Sequence, residues 1–192
     1  MPASLRFSQE DWIVLGLTQL AGHGLGALTV DRLCEAGGRT RGSFYHHFAD
    51  HQAFIRRMME YWEKRDTEDV IADVERAPGD KANALTVLAS AINHRLEGRL
   101  RRLAQKEPAA LEILQRVDAR RIAYLADLCR RNYDCDPADA DRTARIEYAC
   151  YVGAQTLWPD APPSTLERLG AAFAAMTDAH LGATKAKTGA SP

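Results

Sequence analysis

The run from Leu28 to His51, LTVDRLCEAGGRTRGSFYHHFADH, constrains the fold of this chain more than any other stretch. Thr29 is placed to cap a helix in which Val30, Leu33 and Cys34 form an apolar stripe at helical spacing. Gly37 and Gly38 stop that helix, because glycine takes a left-handed turn without steric cost. Thr40 caps a second helix, Arg41 to about Phe48, whose Phe44 and Phe48 share an inward face at i, i+4. Arg41, Ser43, Tyr45, His46 and His47 are then spread over the outward sides. Two short helices joined by a one-turn linker, the second polar and aromatic on its outside, make a helix-turn-helix.

The remaining segments with a clear period also have a helical one. Ser8 with Asp11 forms a capping box for a first helix, with Ile13, Gly16, Leu17 and Leu20 on its inner face. Gly22, Gly24 and Gly26 end it and turn the chain toward Thr29. Asp50 caps a longer helix running to about Arg76, which the APGD run from Ala77 to Asp80 breaks. Leu85, Leu88, Ile92, Leu96, Leu100 and Leu103 then recur at threes and fours. Pro108 suits the first turn of a short helix, followed by another through Ile122, Leu125 and Leu128. Asn132–Pro137 and Trp158–Ser164 read as loops, and GATKAKTGASP as a disordered tail. With no strand pattern, the expected fold is all-α. A helix-turn-helix three-helix head (1–50) precedes a larger helical body for ligand binding and dimerisation (51–182), then a tail (183–192).

Composition narrows the function classes. The chain has 192 residues, no apolar run of about twenty and no signal peptide, so a cytoplasmic protein without a membrane partner is expected. The cysteines Cys34, Cys129, Cys135 and Cys150 lack CxxC spacing and read as buried free thiols rather than zinc ligands. A net charge of −1 offers little general attraction to phosphate, but from Gly37 to Ala49 there is no acidic residue, while Arg39, Arg41, His46 and His47 are present. Docking on DNA requires a local patch of this kind. No nucleophile elbow, phosphate loop, HExxH or paired-carboxylate motif occurs, and His47 with His51 is too poor a set of metal ligands; no cofactor, metal or catalytic activity is expected.

GRTRGSFYHHFADH resembles the recognition-helix signature of the TetR family of transcriptional regulators: a small residue, a glycine, then an aromatic-Tyr-x-x-Phe run. The resemblance extends upstream through TVDRLCEAGG and AGHGLGALT, and covers about residues 8 to 62. It implies a DNA-binding regulator, a repressor released from a palindromic operator by a small-molecule effector. The family has glycine at the position of Gly42, where the missing side chain lets the backbone approach the duplex. Thr29, Thr40 and Tyr45 match positions whose hydroxyls reach phosphates, and Arg41, Ser43 and His46 are candidates for base edges. For His47 a turn toward the body and a DNA contact stand equally. Two residues depart from the pattern: Arg39 where the family has an apolar residue, its stem over core and its head toward phosphate, and His51 where the family has a lysine.

The last two segments speak to assembly. Ile146, Cys150, Gly153 and Leu157 form one stripe; Leu166, Leu169, Phe173, Met176 and His180 form another, surrounded by Gly170, Ala171, Ala172, Ala174 and Ala175. A helix that is apolar or small around most of its circumference packs on two sides, which favours a homodimer through a four-helix bundle, as the resemblance also implies. Ile146, Cys150, Gly153, Leu166, Leu169, Phe173 and Met176 are the expected interface. The resemblance further implies an effector pocket, for which Asn93, His94, Tyr124, Tyr148, Tyr151 and Trp158 are candidates by position. The basic stretch Arg95, Arg99, Arg101, Arg102 and Lys106 reads as a solvated face. Two alternatives stand beside this reading: a redox-sensing regulator using Cys129 and Cys135, six residues apart near a loop, and an all-helical enzyme.

Overall fold

The computed structural model describes residues 7–188, with side chains through residue 182. All regular structure among them is helical. The chain divides into two compact units: a head formed by the residues up to Lys64 together with Arg95–Gln115, and a body formed by Arg65–His94 and the chain from Arg116 onward.

In the head, α1 (Gln9–His23) begins at the expected capping box. Ser8 Oγ accepts from the Asp11 amide, and the Ser8 amide donates to the Asp11 carboxylate at 2.7 Å. These bonds to Ser8 hold the Asp11 carboxyl below its ordinary value. A single 3-10 turn, Leu25–Leu28, leads to α2 (Val30–Gly37), capped by Thr29 and stopped by Gly38 at φ 59°, a left-handed conformation that favours glycine. Thr40 caps α3 (Arg41–His47), and Asp50 caps α4 (His51–Glu63). Trp12, Phe44, Phe48 and Phe54 fill the core between these helices, each essentially buried. Gly16 is required there: a Cβ on it would stand 2.5 Å from the Phe54 ring. One more segment, Arg95–Gln115, completes the unit. In α7 (His94–Ala104), Glu97 accepts from the buried Trp62 indole at 2.9 Å. Arg99 of the same helix donates to the Leu20 and Ala21 carbonyls at 2.5 and 2.6 Å, so it caps the C-terminal end of α1 rather than standing in solvent.

The helix that starts at His51 does run to Arg76, but not as a uniform α-helix. A π stretch, Lys64–Glu68, separates α4 from α5 (Asp69–Arg76), and within it Asp66 and Thr67 are buried. The Ala77–Asp80 break follows, with Gly79 at φ 79°. The body continues with α6 (Lys81–Ser90), α8 (Pro108–Asn132) from Arg116 onward, α9 (Pro137–Leu157) and α10 (Pro163–Thr188). Where two helices were expected from Pro108 to Leu128, one continuous helix is found. No glycine or proline interrupts the chain beyond Pro108, and its apolar positions keep one period. α10 carries on through Thr188, into the stretch read from sequence as a tail; residues 189–192 lie outside the described residues. Close approach of α10 to α6 depends on Gly170, where a Cβ would stand 2.9 Å from Thr86 Cγ2. Polar contacts tie α5 to α8: Tyr124 and Arg131 both donate to Glu75.

Candidate nucleic-acid interface and body cavity

α3 is a short helix with a fully buried inner face and an exposed outer one. Phe44 is inaccessible, and its ring centroid lies 5.3 Å from Trp12, 5.1 Å from Phe48 and 5.3 Å from Phe54. Arg41, Gly42, Tyr45 and His46 are exposed on the other side, with Ser43 half-buried between them. The two caps at this surface leave a donor free. Thr40 Oγ accepts from the Ser43 amide at 3.2 Å and Thr29 Oγ from the Arg32 amide at 3.4 Å, so each hydroxyl proton remains available to an outside acceptor. Gly42 has no internal reason to be glycine. A Cβ there would meet only Thr40 Oγ1, at 3.7 Å, an ordinary contact.

The charged residues at the surface are arranged by the head itself. Arg41 forms a two-pronged pair with Asp31 of α2, both contacts 2.5 Å, which lowers the Asp31 carboxyl below its ordinary range and raises Arg41. Both side chains are about two-thirds exposed (66% and 65%), so the pair contributes little to folding and exchanges readily for another partner. Arg39 lies with its guanidinium 5.1 Å from the centroid of Phe7, and its buried Nε has no partner. Its stem and head thus cover the aromatic edge of the core, occupying the place of the expected apolar residue. His47 turns inward, its Nε2 2.9 Å from the Phe7 carbonyl. His51 Nε2 lies 2.7 Å from the Leu28 carbonyl, and because a carbonyl only accepts, that nitrogen carries the proton. Only Nδ1 of His51 is left for an outside partner.

The second feature is a cavity of about 460 Å³, open to one side and lined entirely by residues of the body. Of the residues singled out as effector candidates, Tyr124, Tyr148, Tyr151 and Trp158 line it. Asn93 and His94 do not; His94 is buried, bonded to the Ser90 carbonyl and to Gln155. Six of the seven residues expected at a dimer interface, Cys150, Gly153, Leu166, Leu169, Phe173 and Met176, also line the cavity, while Ile146 is exposed away from it. The stripes on α9 and α10 are apolar and border the hollow, while Leu169 and Met176 also keep exposed surface.

Sequence reasoning missed Thr67, Arg121 and Glu147 in this lining. Thr67 comes inward through the π stretch, and Arg121 donates from Nε to its hydroxyl at 2.9 Å and from Nη2 to the Asp66 carbonyl at 3.0 Å. Asp66 is itself paired with Arg65 at 2.5 Å. Glu147 stands on the same α9 stripe as Tyr151, Ala154 and Trp158, at spacings of four, three and four, and that period was the signal available for finding it. Burial pushes its carboxyl up to about 7. Elsewhere in the body, Cys129 and Cys135 approach to 4.0 Å between sulfurs; burial and the neighbouring Cys135 push the Cys129 thiol up to about 12.

Comparison with known proteins accounts for the head and for the overall architecture. Residues 14–58 match the family described as bacterial regulatory proteins, tetR family. Among solved structures, a transcriptional regulator from Rhodococcus sp. Rha1 superposes with a TM-score of 0.78 at 16% identity, over 90% of this chain and 97% of its own. NemR of E. coli in its reduced form gives 0.71 at 19% identity, over 85% and 94%. The ketosteroid transcriptional regulator KstR2 of Mycobacterium tuberculosis gives 0.61 at 19%, over 88% and 92%. No curated protein matches the chain. The resemblance to the TetR family read from the sequence holds, and the all-α architecture with an N-terminal helix-turn-helix is the one these regulators share. Among the described residues no helix is long and apolar enough to cross a membrane.

Proposed function

From a tetR-type head and a hollow helical body, we propose a cytoplasmic, homodimeric transcriptional repressor that binds a near-palindromic DNA operator and leaves it when a small molecule fills the body cavity. The observation that carries the DNA half of this reading is Gly42. A glycine inside a seven-residue helix costs about 1 kcal/mol relative to alanine, and nothing within the head repays that cost. A backbone pressed against a duplex does. In this reading Arg41 exchanges Asp31 for a base edge, with Ser43 and His46 beside it. Thr29, Thr40 and Tyr45 donate their hydroxyl protons to phosphates and set the register. Arg39 acts mainly by holding the turn, and His51 meets a phosphate only as imidazolium, through Nδ1.

Dimerisation is supported by the outer side of α10. Ala171, Ala174, Ala175 and Ala179 are exposed, and so is Ile146 on α9, leaving a small, apolar surface that a second copy can cover closely. Sedimentation with an operator duplex tests this directly. Two chains per duplex are expected for the wild type, and Ala174→Glu should give monomers that bind DNA weakly. A wild type that stays monomeric at micromolar concentration and on DNA would sink the dimeric reading.

A second reading, thiol-based regulation, has one specific observation in its favour: the 4.0 Å approach of Cys129 and Cys135. Peroxide would oxidise the Cys135 thiol to a sulfenic acid, and the Cys129 sulfur would then displace water from it to form the disulfide. The high position of the Cys129 thiol disfavours its thiolate and slows the second step. Operator affinity unchanged by peroxide would remove this reading. An enzymatic role has no comparable support, since the charged residues of the cavity include no nucleophile paired with a base.

A further inference from the structure

We propose that the body cavity selects an organic cation, an apolar or aromatic molecule carrying a quaternary or protonated amine, with Glu147 as its counter-ion and tyrosine rings as its floor. This rests on the reading of the cavity as an effector site, and adds the chemical class of the occupant. Three features of the lining carry it.

The first is the state of its polar groups. The hydroxyls of Tyr124, Tyr148 and Tyr151 already donate, to Glu75 at 2.7 Å, Asp118 at 2.6 Å and the Ala89 carbonyl at 3.0 Å. What these residues offer the hollow is ring surface, not hydrogen-bond donors. Secondly, the tyrosine rings of α9 are disposed for it: Tyr148 and Tyr151 lie stacked at 29° with centroids 6.3 Å apart. The negative face of an aromatic ring attracts a cation, most strongly where water is excluded.

The third feature is the balance of charge. Asp66 is matched by Arg65, and Arg121 is bonded to Thr67 and to the Asp66 carbonyl. Glu147 has no such match. Burial alone sets its carboxyl, with no hydrogen bond or cation acting on it among the described residues. The titratable groups facing it from neighbouring segments are Cys129 and Tyr133, neither of which supplies positive charge. The cation of the lining, Arg121, is held on Thr67 and the Asp66 carbonyl and does not act on it. A carboxyl in a largely apolar hollow gains as the anion when a cation is brought beside it. The volume, about 460 Å³, lies within the range of roughly 300–1,000 Å³ typical of small-molecule sites.

Calorimetric titration of the full chain with three ligands on one skeleton tests the assignment. The three are 4-phenylbutyltrimethylammonium, its uncharged isostere with carbon in place of nitrogen, and 6-phenylhexanoate. The cation should bind about tenfold or more tighter than the other two at pH 8, and Glu147→Gln should abolish that preference while leaving the isostere's affinity unchanged. Thermal melting confirms that the variant is folded. Equal binding of all three, unaffected by the substitution, overturns the cation assignment and leaves the effector reading standing. A preference for the carboxylate overturns it in favour of Arg121. If none of the three binds, the assignment falls and the effector reading loses its cavity as well.

Discussion

In the head, four aromatic rings from α1, α3 and α4 close on one another at centroid distances between 5.1 and 5.3 Å and leave no accessible surface of consequence. In the body, three tyrosines, a phenylalanine and a tryptophan stand around an open volume instead. The same residue types are used in opposite ways. A closed aromatic core fixes the direction of a seven-residue helix that could not be stable alone, so the head can carry its chemistry on an outer face. The body keeps its chemistry on an inner face and leaves part of its apolar surface without a partner. Rigidity in one unit and unfilled space in the other is what a protein needs if one part reads a fixed shape and the other admits a guest.

Substitutions can break this comparison, and the largest effect should come from the closed core. Phe44→Ala removes the ring on which Trp12, Phe48 and Phe54 all pack, and should cost about 3–5 kcal/mol in urea unfolding with loss of DNA binding. Tyr151→Leu, which trims a wall of an existing hollow, should cost markedly less. Equal costs would mean the body is packed as tightly as the head.

Next in size are the outer residues of α3. Arg41→Ala should reduce discrimination between operator and random DNA by about 1–3 kcal/mol, the worth of a two-pronged base contact. Tyr45→Phe should weaken both kinds of binding alike, since a phosphate contact carries no sequence information. Binding titrations on the two DNAs separate these roles.

Gly42→Ala sharpens the contrast between folding and function. It should stabilise the isolated protein by up to about 1 kcal/mol, because the added methyl meets nothing closer than Thr40 Oγ1 at 3.7 Å. The same methyl should weaken operator binding. A gain in stability with unchanged affinity would place the α3 backbone away from the duplex.

The last test belongs to the body and follows pH rather than sequence. Glu147 has its carboxyl at about 7 when folded, above the ordinary 4.5, so between these values the folded chain holds a proton that the unfolded chain has released. Stability should therefore fall as pH rises from about 4.5 through 7 and stay lower above it. Glu147→Gln should flatten that part of the profile, as followed by melting temperature at pH 5.5 and 8. An identical slope in both proteins would show the carboxyl to be well solvated.

What could be read from the sequence follows the same division. Ser8, Thr29, Thr40 and Asp50 cap helices through amides three residues away, and Phe44 with Phe48 meets the core at i, i+4, so each signal lies within about one turn of its effect. The helix-turn-helix was legible for that reason. The cavity was not, because its walls come from segments far apart in the chain. Tyr151 and Trp158 could be singled out by type, but an apolar stripe does not announce whether it meets another helix, another subunit or a hollow. The stripes through Cys150 and Met176 border the hollow and keep exposed surface as well, so their period alone does not separate these roles. Nor does any local signal mark the π stretch that turns Asp66 and Thr67 inward.

The central claim is that the exposed face of α3 reads a duplex sequence in a two-fold complex. Selection of bound fragments from a random duplex pool tests it most directly. The wild type should enrich two inverted half-sites with centres about 10 base pairs apart, or a multiple of one helical turn, and Arg41→Ala should lose one symmetric pair of preferred positions, guanine in the commonest pairing. Enrichment of no sequence, or of the same sequence by the wild type and by Arg41→Ala, would contradict the account.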